Sequence, residues 1–195
     1  MGRKINRNTK SKIVTAAWKL FYEQGYDNTT VEEIIWESGT SKGSFYHYFD
    51  GKDALLGSLA YLFDEKYEEL VKGLDDDINR LDFLFYLNAE LFEMVESSID
   101  IDLLTRLYST QLTTRGQSHL LDHNRYYYKL LKKIVTEGQA RGEITKNYTV
   151  SEIVRLYAMC ERALLYDWCL NHGEYPLKEY SQKTMKLFLG GMKKV

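Results

Sequence analysis

The sequence predicts an all-helical protein, and three observations carry the prediction. Apolar residues recur at spacings of three and four through most of the chain, the period of amphipathic helices. A single proline, Pro176, stands among 195 residues, so almost nothing interrupts helix interiors. No useful length of sequence alternates polar and apolar residues as a half-buried strand does. With 44% apolar and 28% charged residues, the composition fits a folded globular protein and excludes collagen-like, proline-rich and largely disordered chains.

The first helix is expected from Thr9 to Gln24, where Ile13, Val14, Ala17, Leu20 and Phe21 share one face. Gly25 ends it as a glycine just past a helix does. The Thr29-Thr30 pair offers an N-cap for a short helix, Val31 to Glu37, whose first-turn Glu32 and Glu33 suit the helix dipole. Gly39 stops that helix, and Ser41 caps a third, from Lys42 to about Tyr48. Two short helices joined by a tight glycine-containing turn are the signature of a helix-turn-helix. From Lys52, residues Leu55, Leu56, Leu59, Leu62, Phe63, Tyr67, Leu70, Val71 and Leu74 hold one stripe. That stripe predicts a long helix joining two domains, 1–52 and 53–195, and ending at Gly73 and the Asp75-Asp76-Asp77 turn. Further helices are expected at 79–97, 100–112, 119–140, 150–172 and 176–190, the last with Pro176 in its first turn.

The net charge of −2 hides an uneven distribution. Residues 1–22 carry six basic side chains and no acid, whereas residues 61–102 carry thirteen acids against three bases. Such a chain offers only its N-terminal end to a polyanion. No run of eighteen apolar residues predicts a membrane span, the N-terminus is polar, and a cytoplasmic location is expected. Cys160 and Cys169 lie nine apart on a predicted helix, about 13 Å, too far for a bridge between them. The segment Leu156–Cys160 and then Ala163–Leu165 is apolar around most of its helix. With Leu177, Tyr180, Leu187, Phe188 and Met192 following, the surplus apolar face predicts a homodimer built from two helices of each chain.

The stretch from Gly25 through Thr30-Val31-Glu32-Glu33-Ile34, Ser38-Gly39-Thr40-Ser41-Lys42-Gly43-Ser44-Phe45-Tyr46-His47-Tyr48-Phe49 and Lys52-Asp53-Ala54-Leu55 resembles the DNA-binding domain of the tetracycline-repressor (TetR) family. Ile35 and Ser38 stand where that family usually has alanine, and Thr40 where it usually has valine; these departures touch packing between the short helices. The resemblance implies a recognition helix beginning at the Ser41 cap and offering Lys42, Gly43 and Ser44 to base edges. Lys42 reaches guanine acceptors or a phosphate, and Gly43 lets the backbone approach closely. Tyr46, His47 and Tyr48 stand at the groove edge. The resemblance further implies phosphate contacts from Tyr46 and Lys52, and a Thr30 that caps the second helix while touching the DNA backbone. Arg3, Lys4 and Arg7 precede the predicted first helix and read as a flexible arm adding salt-dependent affinity. Phe45 and Phe49, four apart, read instead as core.

For the second half, the resemblance implies a domain that binds a small-molecule effector and dimerises. Candidate lining residues are Phe85, Tyr86, Phe92, Tyr108, Tyr127, Tyr157, Glu161 and Trp168. Glu161 shares a stripe with Tyr157, Leu164 and Trp168, and a buried carboxylate needs a partner. Arg162, Arg115 or a cationic ligand supplies one; a carboxylate at the dimer edge paired with arginine is the other reading. His119 and His123 lack a third donor, so no metal is expected. No nucleophile, base and orienting group stand together and no phosphate-cradling glycine loop occurs, so neither enzymatic activity nor a cofactor is expected. The expected function is a ligand-responsive regulator, a repressor whose homodimer binds a palindromic operator on double-stranded DNA and is released by a small-molecule effector. The alternative is a helical signalling module whose head docks on a protein.

Overall fold

The computed structural model describes residues 2–72, 77–113 and 119–192, with side chains from Thr9 onward except those of 113 and 119. The described residues form ten α-helices and no strand: α1 (Gly2–Gln24), α2 (Val31–Ser38), α3 (Lys42–Tyr48), α4 (Lys52–Leu56), α5 (Leu59–Val71), α6 (Arg80–Ser98), α7 (Ile101–Thr113), α8 (Tyr126–Arg141), α9 (Val150–Leu170) and α10 (Leu177–Leu189). The chain divides into two compact units, residues 1–60 with 106–120, and residues 61–105 with 121–195.

In the first unit, α1, α2 and α3 pack on one another. Their core is Ile13, Ala17, Phe21, Ile34, Phe45 and Phe49, completed by Leu55 and Leu56 of α4. The single helix expected from Lys52 is two helices, broken at Gly57–Ser58. Ser58 explains the break: its backbone N–H and its hydroxyl both donate to the carbonyl of Leu55, at 2.9 and 2.5 Å. A serine hydroxyl that takes a nearby carbonyl competes with helix continuation, and Gly57 before it stabilises helix poorly. Ser58 in turn accepts a 2.8 Å hydrogen bond from the Trp18 indole of α1.

In the second unit, α6 packs on α8 and α10, and α9 packs on α8 and α10. Leu84, Leu87, Phe92, Leu131, Val135, Val154, Leu164, Leu177 and Met185 fill the interior. Gly138 sits where a Cβ would come within 2.6 Å of Ile144 and 2.9 Å of Arg80, so only glycine permits this approach. The helix expected over 119–140 is also interrupted. A short 3-10 turn, His119–Leu121, precedes α8, and Asp122 closes a turn by accepting from the Asn124 amide at 2.9 Å. His119 and His123 therefore do not share a helix face; the side chain of His119 lies outside the described residues, and His123 packs on Tyr128 with ring centroids 4.5 Å apart. No cluster of three metal-ligating side chains occurs among the described residues, and no helix there is long and apolar enough to cross a membrane.

Candidate nucleic-acid interface and effector site

Local chemistry fixes the two short helices. Thr30 accepts from the Glu33 amide at 3.2 Å while Glu33 accepts from the Thr30 amide at 2.7 Å, a reciprocal capping box. The bonds it accepts from the Thr30 amide and hydroxyl hold the Glu33 carboxyl below its ordinary pKa. Gly39 closes α2 in the left-handed conformation, φ 61°, which few other residues adopt cheaply. Ser38 is buried, and its hydroxyl is paired with that of Thr40 at 2.8 Å. Ser41 caps α3, accepting from the Ser44 amide at 3.1 Å and pairing with the Ser44 hydroxyl at 2.9 Å.

The two faces of α3 differ sharply. Phe45 and Phe49 are buried, as the four-residue spacing predicts, with ring centroids 5.9 Å apart. Lys42, Gly43, Tyr46 and His47 are exposed, while Ser44 and Tyr48 are half-buried. The Lys42 ammonium lies 3.7 Å from Glu32 and 5.9 Å from the Tyr46 ring, both loose contacts that DNA can replace. A Cβ on Gly43 would meet nothing closer than the Ser41 hydroxyl at 3.9 Å. The fold itself therefore does not require glycine there.

Two sequence expectations change. Arg3, Lys4 and Arg7 do not precede the first helix: α1 begins at Gly2, because no proline or glycine follows to stop it. They lie in its first two turns rather than on a flexible arm, and their side chains lie outside the described residues. Lys52, expected at a phosphate, donates to the carbonyls of Tyr26 at 2.7 Å and Thr29 at 2.9 Å. It thereby clamps the turn between α1 and α2, leaving at most one ammonium hydrogen for DNA. Tyr26 lies between two cations, Lys52 at 4.3 Å and Arg106 at 5.1 Å from its ring centroid, and its hydroxyl donates to Asp53. Arg106, on α7, also pairs with Asp27 at 2.5 Å. Nothing in the sequence pattern links residues so far apart.

The second unit gathers polar groups from four helices around Glu161, which is only 4% exposed. Its carboxyl accepts from the Tyr127 hydroxyl of α8 at 2.5 Å, the Asn88 amide of α6 at 3.0 Å and the Tyr67 hydroxyl of α5 at 3.4 Å. Tyr157, one turn earlier on α9, is buried and donates to the Leu84 carbonyl at 2.8 Å. None of these donors is a cation. Arg162, proposed from the sequence as partner, instead donates to the Tyr128 hydroxyl at 3.2 Å because its position points it off the Glu161 stripe. Arg115 lies outside the described residues. Beside the cluster, Arg125 donates to both oxygens of buried Asp64, at 3.0 and 2.8 Å, and the Tyr127 amide donates to Asp64 at 3.2 Å. Asp64 of α5 thus caps α8 from another helix.

Of the other lining candidates, Phe92 is buried on the Leu84–Asn88 face of α6, while Phe85 and Tyr86 are half-buried and fall off it. Trp168 donates to the Tyr175 carbonyl at 2.9 Å, a structural tie. Tyr108 belongs to the first unit rather than to the Glu161 group. Tyr67, Asn88, Asp64 and Arg125 were not singled out by the sequence.

Burial raises the Glu161 pKa, against the opposing pull of Tyr127 and Asn88. The folded state then holds a proton that the unfolded chain releases, so stability falls as pH rises from the ordinary carboxyl range through the folded value, and the penalty is complete above it. Glu161→Gln is expected to raise the melting temperature at about pH 8 and to do so much less at about pH 5. Thermal melts at both values check this, and an equal gain at both would contradict it.

Comparison with known proteins decides the family. Residues 13–59 match the family model described as bacterial regulatory proteins, tetR family, and residues 62–191 match the model of the C-terminal region of YsiA-like proteins. The chain belongs to the TetR family. Among its TetR-family relatives is the fatty acid metabolism regulator protein of Bacillus subtilis, 24% identical over 193 residues that cover 97% of this chain and 98% of the relative. The HTH-type transcriptional regulator QacR of Staphylococcus aureus is 27% identical over 199 residues, covering 96% of this chain and 100% of QacR. Among solved structures, the TetR-family repressor FadR of Thermus thermophilus, in complex with lauroyl-CoA, superposes with a TM-score of 0.69 at 24% identity over 93% of this chain and 94% of FadR. Where this TetR-family chain departs from the usual alanine and valine, at Ser38 and Thr40, the two hydroxyls satisfy each other.

Proposed function

We propose that the protein is a repressor whose homodimer binds a palindromic operator and leaves it when a small molecule binds. Residues 1–52 read DNA, and residues 53–195 bind the effector and dimerise. The observation that carries the DNA reading is the outward face of α3, where Lys42 and Tyr46 flank a glycine that the fold does not need. Two such helices, one per subunit, reach successive major grooves when they stand about 34–36 Å apart. Dimerisation is supported by exposed apolar side chains on α9 (Met159, Tyr166, Leu170) and on α10 (Tyr180, Leu187, Phe188). A repressor of this kind works in the cytoplasm beside the chromosome, and no catalytic step is assigned to it.

The effector acts as a population shift: it favours a state in which the two heads no longer match the half-sites, and lowers operator affinity by its differential binding to the two states. The Glu161 group is the effector site in this reading, and Tyr67 and Asp64 tie it to α5. A protein of the same fold was crystallised with lauroyl-CoA, which makes an acyl thioester the comparison ligand for this site.

The test is the salt dependence of operator binding by the purified protein. A log–log slope of several units is expected, because lysines and arginines displace condensed counterions from phosphates. Binding that is insensitive to salt would favour the protein-docking module instead.

A further inference from the structure

We propose that Glu161 anchors the cationic group of an organic effector, held against the rings of Tyr67, Tyr127 and Tyr157. The proposal rests on the reading of the second unit as an effector domain, and names the chemistry of its ligand.

Four acidic or basic side chains of the second unit are buried among the described residues: Asp64, Arg80, Arg125 and Glu161. Asp64 and Arg125 neutralise each other at 2.8 Å, and Arg80 pairs with Glu137 at 2.8 Å. Glu161 alone of the four is met only by neutral donors among the described residues. An ionised carboxylate in such a place costs free energy that hydroxyl and amide donors offset only in part. A ligand cation supplies the missing charge.

The surroundings suit one. Tyr67, Tyr127 and Tyr157 are all buried, and the first two rings lie 5.2 Å apart; aromatic rings attract ammonium groups. Arg125 already stands 5.7 Å from the Tyr127 ring, which shows that this aromatic wall accepts positive charge. The Tyr67 bond, at 3.4 Å the longest of the three, is the one a ligand displaces. An acyl chain gains nothing from a carboxylate at its side, and a phosphate is repelled by one.

Where the carboxyl is protonated, binding also releases that proton, since the carboxyl must ionise to pair. The charged and titratable groups facing it are Asp64 and Tyr67 on α5, Arg125 and Tyr127 on α8, and Tyr157 and Cys160 on α9; α6 contributes the neutral Asn88. Burial raises the tyrosines and Cys160 above their ordinary values, as it raises Glu161.

The experiment titrates the full-length protein with three permanent cations of increasing size: tetramethylammonium, benzyltrimethylammonium and tetraphenylphosphonium. Neopentylbenzene, the uncharged isostere of benzyltrimethylammonium, and lauroyl-CoA serve as comparisons. Calorimetry reads binding, and operator release is followed in parallel. At least one cation is expected to bind about tenfold or more tighter than the isostere, to lose that advantage in Glu161→Gln, and to bind more tightly as pH rises in the wild type alone. Should Glu161→Gln not fold, Tyr67→Phe keeps ring and carboxyl and must still bind, while Tyr67→Leu must bind more weakly. Cations that bind no better than the isostere, that bind Glu161→Gln unchanged, or that do not separate the two Tyr67 variants overturn the proposal. Release of the operator by lauroyl-CoA alone overturns it too, yet leaves the ligand-responsive repressor standing; a protein that binds no operator removes that broader reading.

Discussion

Asp64→Ala is expected to cost about 3–5 kcal/mol of stability, the usual loss when one member of a buried ion pair is removed. Asp64 receives two hydrogen bonds from Arg125 and one from the Tyr127 amide, and both side chains are almost wholly buried. Alanine leaves the guanidinium without its counter-charge and removes the cap from the start of α8. The double change Asp64→Leu with Arg125→Met removes both charges together, and is expected to recover much of the loss because apolar groups of similar size replace a desolvated pair at little cost. Denaturant unfolding of the single and double variants measures the coupling. A single-variant loss below about 1 kcal/mol would mean that water reaches the pair. The change also reaches function, since Tyr127 carries both the Asp64 bond and the Glu161 bond.

Lys42→Ala is expected to weaken operator binding by about 1–3 kcal/mol, about 5- to 150-fold, while the melting temperature stays within the error of measurement. The structural contacts of Lys42 are an exposed pair with Glu32 and a distant ring, neither of which contributes much to stability. How the loss is distributed tells which contact is made. A base contact gives a loss confined to one operator position, whereas a phosphate contact gives a uniform loss and a salt slope smaller by about one. Tyr46→Phe removes only a hydroxyl from an exposed ring, so a smaller loss with unchanged stability is expected. Equal losses of stability and affinity in either variant would make that residue structural.

The helix-turn-helix was legible because its signals are local. Caps at Thr30 and Ser41, the glycine at 39 and the Phe45–Phe49 spacing are all set within a few residues, and each stands where the sequence places it. The apolar faces of α9 and α10 were legible for the same reason. Two boundaries were not. The stripe continuing past Gly57 concealed the break that Ser58 makes, and nothing in residues 3–8 marked a start for α1. Contacts between distant residues were the least visible. Arg125 meets Asp64 across 61 positions, and Arg106 meets Asp27 across 79, through folding that periodicity does not encode. Glu161 was visible as a misplaced charge on an apolar stripe, but its donors come from three other helices. The carbonyl partners of Lys52 were not visible because they belong to a turn more than twenty residues away.

The central claim is that α3 lays its outward face against DNA, and Gly43→Ala tests it most directly. Gly43 has an ordinary helical backbone with open space beside it, so alanine should raise stability by about 0.5–1 kcal/mol. If the claim holds, the same methyl group stands where the backbone approaches the groove. Operator affinity measured beside thermal melting is expected to fall at least about tenfold as stability rises. Unchanged affinity, or affinity and stability falling together, would contradict the account.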